Sequence, residues 1–477
     1  MKTSKEYVEG IGKLKDNVHM GGKKIKRLED PSIRKGINVI AATFDLALEK
    51  KYEDLFTARF HLSGEKIHRL AHIHQSPQDM MKKVQMTRLL CREVGGCVQR
   101  CMGADEMNAL SNVSYQMDKD LGTHYHERYL KYLKHFQEND LILNTCMTDV
   151  KGDRRLRPHQ QADPDLYLRI VKKNSDGIIV RGAKAHTGNS AYADEHFVLP
   201  TRGMSEKDKD YAVAFAVPAD TEGVTLINHT AAPLTEKKME NPWSSRFNVT
   251  HSVTVFDDVF VPWERVFLCG EWQYAGELTR QFATYHRQSY CGCKPATTDV
   301  LIGAAALVAE FNGTDRAAHI RSKIADLITV AEMVYSCGIA SAVNGKKMNS
   351  GTYFPDVTAC NAGKYYAGTT IHHEYEIVQD IAGGLCATIP GEEEYFNPVT
   401  GKYMRKYLMG PADKDVEERI KCFYFIEDLT VSRTAGFWAA AAVHGGGSPD
   451  MEKKAILADY DLTEHMRIAK KLAGIIK

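Results

Sequence analysis

This 477-residue sequence contains no Gly-x-x-x-x-Gly-Lys-[Ser/Thr] loop, no His-Glu-x-x-His, and no Gly-x-Gly-x-x-Gly behind a strand-like run. Those absences exclude a P-loop nucleotide site, a helical two-histidine zinc site and a dinucleotide fingerprint. GGGSP at 445–449 is a loop and not such a fingerprint. Neither sign of charge is in excess. With 62 basic against 61 acidic residues, net +1, broad electrostatic binding of nucleic acid or anionic membrane is not expected. A local basic patch for a phosphorylated ligand remains compatible with that balance. Long hydrophobic runs are also missing: VLIGAAALVA (300–309) and GFWAAAAV (436–443) are too short to span a bilayer. The first residues, MKTSKEYVEGIGKLKDNVHM, alternate charge and apolarity and lack the apolar core of a leader. The expectation is a soluble, cytoplasmic protein with no nucleic-acid or membrane partner. Internal repeats and low-complexity segments are absent too.

The 11 cysteines are too many to ignore, and in a cytoplasmic chain they are not expected to form a disulfide framework. Most read as small buried hydrophobes, so the oddly spaced ones need separate attention.

Three blocks follow along the chain. Apolar residues recur at helical intervals in 76–110 and 123–141, with Ser76 and Asp79 as start signals. From about Thr148, LYLRIV, GIIVRGAKA, YAVAFAVPA, GVTLINH and SVTVFDDVFVPW are short, β-branched and divided by turn residues, which predicts strands. Helical patterns return after Glu277, with Asp299 as a candidate cap and further helices at 415–443 and 463–476. The class is α+β, divided as 1–146, 147–275 and 276–477.

Chemistry concentrates in a few stretches. GGCVQRCMG holds Cys97 and Cys101, which on a helix share one face and can fill neighbouring corners of a metal site. The same spacing suits two buried thiols on a core stripe. YHRQSYCGC supplies His286, Tyr290, Cys291 and Cys293. Together the two stretches offer a four-ligand set of the kind zinc and iron–sulfur clusters accept. Spacing decides neither between those metals nor between Cys291 and Cys293, and Cys-Gly-Cys also fits a tight turn. TDVKGDRRLRP (148–158) suits a turn around a phosphate or a flavin edge, or a polar linker. AKAHTGNSAYADEH (183–196) has the look of a ligand-contacting loop, and QDIAGGL (379–385) permits close backbone approach.

These pieces occur together and in order with HQSPQDMMKKVQMTRLL, YLKHFQENDL, ADPDLYLRIV, VFDDVFVPWERVFLCGE and HGGGSP. Over nearly its whole length the chain resembles the 4-hydroxybutyryl-CoA dehydratase/vinylacetyl-CoA isomerase family, within the 4-hydroxyphenylacetate 3-hydroxylase superfamily. The resemblance implies an acyl-CoA-dehydrogenase-like subunit, with a helical N-terminal domain, a middle β domain and a C-terminal helical bundle. It further implies FAD, a [4Fe-4S] cluster, an acyl-CoA substrate and a homotetramer. The implied cluster ligands are Cys97, Cys101, His286 and Cys293. Cys291 stands where the family usually has glycine and is left out. The implied flavin contacts are Thr148, Asp149, Lys151, Gly152 and Asp153, then Thr187 in the His186–Ser190 loop. Gln379, Gly383 and Gly384 would reach the flavin of a neighbouring subunit. The loop reads His-Thr-Gly, one residue shorter than the common His-Gln-Thr-Gly.

The family reaction dehydrates a 4-hydroxyacyl thioester. The resemblance implies that the acidic Cα proton leaves first and that one-electron oxidation then labilises the Cβ hydrogen. His286 and Tyr290 are the implied proton-transfer groups. Two departures stand out. A glutamate before V-F-D-x-V-F is His251 here, and another before H-G-x-G-S-P is Ala441. His251 thereby joins the catalytic candidates. A tertiary amine leaves without a proton, so 4-trimethylammoniobutyryl-CoA is an alternative substrate, with Phe437, Trp438, Trp243 and Tyr290 as faces for its cation. A flavin monooxygenase without a cluster is the other alternative.

Overall fold

The computed structural model describes residues 1–233 and 237–476. Its helices begin where the sequence supplies caps. Thr3 and Glu6 form a capping box ahead of Ser4–Lys13. Ser76 Oγ accepts from the Asp79 N–H at 3.2 Å to open Pro77–Val94.

The helix expected across 76–110 is broken. Pro77–Val94 stops at Gly95, whose φ of +71° is the left-handed turn that side chains resist. A new helix, Cys101–Leu121, begins six residues later. The Trp243 indole enforces the break: its N–H donates to Val94 O at 2.8 Å, and a Cβ on residue 95 would stand 2.5 Å from Nε1. Gly95→Ala is therefore expected to lower stability by about 1–3 kcal/mol, read as a lower midpoint in denaturant.

Strands gather into two main sheets. The larger has the order Lys23–Ile25, Val18–Met20, Val224–Thr230, Thr250–Pro262, Gly177–Gly188, Arg169–Lys173. The smaller runs Val266–Cys269, Val213–Pro218, Glu195–Val198, Leu143–Cys146. The first two strands come from the N-terminal block, which periodicity had read as mainly helical; at three residues each they are too short to show alternation. Phe197, Phe215, Phe256, Phe267, Val259 and Val261 are fully buried in the shared core. Ladder register sets His251 opposite both His229 and Gly188.

Trp272–Phe311 is a single helix of 40 residues, about 60 Å long, packed on Pro77–Val94, Cys101–Leu121, Ala318–Val343 and Val357–Ala382. Asp299 is thus no cap. It lies mid-helix, where its carboxylate receives Arg88 at 2.8 Å and Arg92 at 2.6 Å. A second expected helix, 415–443, is divided at Val431–Ser432, where Ser432 Oγ caps Arg433–His444. Ala318–Val343 is long and apolar enough to cross a membrane by length and composition, a property the short runs singled out in the sequence do not have. It packs against Trp272–Phe311, Val357–Ala382 and Pro77–Val94, with Ile328, Met333 and Val343 exposed on its outer side.

Candidate metal centre and the cleft beside it

Cys97 is not on a helix. It lies in the crossing segment 95–100, and only Cys101 is helical. The break brings the pair toward Trp272–Phe311, where His286, Tyr290 and Cys293 follow at helical intervals along one face. The three thiols meet there. Hydrogen bonds from Cys101 and then Cys293 hold the Cys97 thiol well below its ordinary pKa. The matching bond to Cys97, then burial, pushes Cys101 up. Cys293 is raised by a bond to Cys91, then by Cys97. Cys91 is a fourth thiol that no spacing rule singles out.

His286 completes the group. Its Nδ1 donates to Asp105 Oδ2 at 2.9 Å, leaving Nε2 as the free lone pair. Donor atoms of Cys101, Asp105 and His286 lie within 4.8 Å of one another. Asp105 is itself anchored: Lys83 Nζ reaches Oδ1 at 2.5 Å, and Ser289 Oγ donates to both oxygens at 3.0 Å. Burial alone would raise the Asp105 carboxyl, but Lys83 and His286 outweigh it and hold it low. A carboxylate behind a histidine is the usual support of a metal-ligating imidazole. The donor set of three thiols and one imidazole therefore fits an iron–sulfur or zinc site. Asp105 and Ser289 were legible only as neighbours of the ligands, one turn beyond Cys101 and His286; Lys83 lies in a stretch that carries the resemblance, but nothing local pointed to its partner.

Cys291 lies away from this group. It is fully buried with Val334, Ala367 and Cys337, its Sγ 3.8 Å from Cys360 O.

Tyr290 stands edge-on to His286, centroids 5.1 Å apart. Burial first, then the thiols, pushes its phenol well above the ordinary range, so it keeps its proton. The glycine loop after Arg433–His444 closes over it: the phenol occupies the place a Cβ on Gly445 would need. Three charged side chains lace this loop down. Arg287 Nε donates to Gly446 O at 2.9 Å, and Lys364 Nζ reaches Ala442 O and Val443 O at 3.3 Å. Glu452, fully buried, stands 3.5 Å from Lys364 and 4.0 Å from Arg287. Burial brings Lys364 down to about 8 and raises Glu452. Ala441 lies half-buried at this end of the helix.

His251 enters from the sheet side. Its Nε2 is 3.1 Å from Gln99 Nε2, and its ring is 5.0 Å from Phe437. Of the aromatics proposed for a cation, Trp243 is spent on Val94 and Gly95, and Trp438 lies against both Phe437 and Trp243.

The flavin candidates are spread more widely. The His186 imidazole is lowered by burial and then by the charges of Lys151 and His444, so the 148–153 turn and the end of Arg433–His444 both lie within electrostatic reach of the 186–190 loop. Within the turn, the Asp149 carboxylate is committed to buried Lys184 at 2.6 Å, and Asp153 to Arg155 at 2.7 Å. Lys151 and Gly152 are exposed, and Thr148 is half-buried. The Thr187 hydroxyl points into the sheet, bonded to Ser252 O and Thr254 Oγ1. Gln379 donates to Thr430 O. Gly383 and Gly384 sit exposed at the end of Val357–Ala382, with no described atom within 4 Å of a Cβ built on either.

Family models for the 4-hydroxyphenylacetate 3-hydroxylase N-terminal and C-terminal regions match residues 3–268 and 275–474. The chain belongs to this family. Within it, the sequence is 40% identical to the 4-hydroxybutyryl-CoA dehydratase/vinylacetyl-CoA-Δ-isomerase of Clostridium aminobutyricum over 100% of both chains. An oxygen-tolerant archaeal 4-hydroxybutyryl-CoA dehydratase from N. maritimus superposes with a TM-score of 0.96 at 36% identity, covering 100% of this chain and 95% of the other. Butyryl-CoA dehydrogenase from Megasphaera elsdenii shares the fold at 15% identity, TM-score 0.51, over 96% and 98% of the two chains. This member of the 4-hydroxyphenylacetate 3-hydroxylase family therefore has the acyl-CoA-dehydrogenase-like α+β architecture its sequence implied.

Proposed function

We propose that this protein is an acyl-CoA lyase that removes the γ substituent of a 4-substituted butyryl-CoA, as its dehydratase relatives do with 4-hydroxybutyryl-CoA. The observation that carries the reading is the meeting of Cys97, Cys101, Cys293 and His286, with Asp105 fixing the imidazole. Those four residues would hold a [4Fe-4S] cluster, and the 148–153 turn with the 186–190 loop would hold FAD. When bound, the cluster supplies a Lewis acid for the leaving group and the flavin supplies one-electron redox chemistry.

The chain's own residues have separate tasks. His286, with Nδ1 committed to Asp105, would ligate through Nε2 and is available to take a proton there when not ligating. Tyr290, protonated and beside it, donates to the departing oxygen. The loop 445–447 keeps water from the Tyr290 face. The glycines at 383–384, open to the outside, suit the flavin of a second subunit, in line with a homotetramer. A cluster-free monooxygenase has no use for three converging thiols and a carboxylate-backed histidine.

Anaerobically purified protein is expected to contain iron, acid-labile sulfide and flavin, and to convert 4-hydroxybutyryl-CoA to an unsaturated four-carbon thioester. Release of trimethylamine from 4-trimethylammoniobutyryl-CoA, with 4-hydroxybutyryl-CoA inert, would move the assignment to the carbon–nitrogen lyase. Flavin without iron would overturn the cluster.

A further inference from the structure

His251 is the catalytic candidate on the sheet side, and its surroundings fix which nitrogen carries the proton. The chain of bonds starts at a backbone group. Thr250 N–H donates to the Tyr192 oxygen at 3.3 Å, so the Tyr192 proton is free for Gln99 Oε1, 3.4 Å away. That contact orients the Gln99 amide, with its oxygen toward Tyr192 and its NH₂ toward His251. At 3.1 Å the amide donates to His251 Nε2, which is then the acceptor nitrogen. Nδ1 must carry the hydrogen. It is shut off from solvent and has no hydrogen-bond partner. Buried donors are normally matched, so this unmatched one, in a chain read as binding an acyl-CoA, points to a ligand acceptor.

Resting on the acyl-CoA reading above, we propose that His251 is a neutral, fixed hydrogen-bond donor whose Nδ1–H takes the thioester carbonyl oxygen of the bound acyl-CoA. A carboxylate here would accept hydrogen bonds and repel negative charge; the imidazole reverses that polarity. It favours the oxygen on which charge grows as the Cα proton departs, and it spends nothing on reorientation. The imidazole stays uncharged near neutral pH, because burial, then the neighbouring His186 and His229, holds its pKa at about 4. It therefore does not shuttle protons. His229 lies opposite His251 in the ladder and lines a cavity of about 460 Å³ with Arg433, one helical turn from Phe437. Arg433 is the cation of that lining available to an anionic tail group of the thioester.

The test uses holoenzyme and butyryl-CoA labelled with ¹³C at the carbonyl, a thioester with no γ leaving group. Difference infrared spectroscopy is expected to show the carbonyl band of bound wild type below its position in water. His251→Phe and His251→Glu, which lack the donor, are expected to return the band toward the solution value. His251→Gln, which keeps an N–H, is expected to retain the downshift. With 4-hydroxybutyryl-CoA, His251→Phe is expected to lose about 10²-fold in kcat with little change in KM, at wild-type iron and flavin content. An identical band in wild type and in whichever donor-less variant folds overturns the assignment while leaving the acyl-CoA reading intact. Failure of wild type to bind butyryl-CoA overturns that reading and this assignment with it.

Discussion

Cys293→Ala is expected to yield a folded, flavin-competent protein with little or no iron and sulfide, and no turnover of any acyl-CoA. Cys291→Ala, two residues away, is expected to keep wild-type iron. The contrast follows from helix geometry. Residues 286, 290 and 293 fall on the face turned toward Cys97 and Cys101, and residue 291 is rotated to the opposite side, against Val334 and Ala367. Removing Cys293 takes one of three thiolates from a site that has only one imidazole besides, and a cluster needs four ligands. Removing the Cys291 sulfur leaves a small void in an apolar seat, expected to cost about 1 kcal/mol. Iron and sulfide analysis of the two variants, with thermal melts as the folding control, reads both outcomes. Retained iron in Cys293→Ala would hand the fourth position to Cys91, the thiol that shares a hydrogen bond with Cys293.

What the sequence disclosed about this site depended on which interactions were local. Strand patterns, the Ser76 cap and the spacing of His286, Tyr290 and Cys293 are short-range, and each is a matter of side-chain period. The break after Val94 is not. A Gly-Gly inside a helical pattern permits a break but does not demand one; Trp243, almost 150 residues away, decides it by packing on Gly95. The same holds for the supports of the site. The roles of Lys83, Glu452 and Gln99 cannot be read from their local spacing, and exist only because segments distant in sequence meet: Lys83 at Asp105, Glu452 at Lys364, and Gln99 at His251. Asp299 shows the converse: a good capping residue in the right pattern, overridden because the helix had already begun at Trp272.

Asp105→Asn is the change expected to damage the site most without touching a ligand. Two losses follow from one oxygen. Lys83, 1% exposed, is left as a buried charge without its counter-charge, which costs about 3–5 kcal/mol. His286 loses the anionic acceptor that fixes its ring, for which about a 10–100-fold loss of metal affinity is expected. The two are separable. Lys83→Met together with Asp105→Asn removes the stranded charge and is expected to recover much of the stability, while the weakened iron binding persists, because nothing restores a carboxylate behind Nδ1. Chemical denaturation of the metal-free proteins measures the first loss, and iron retention under a competing chelator measures the second. Were the double variant to recover both, His286 would be held by packing against Phe282 and Tyr290, its two ring neighbours, and Asp105 would serve only to neutralise Lys83.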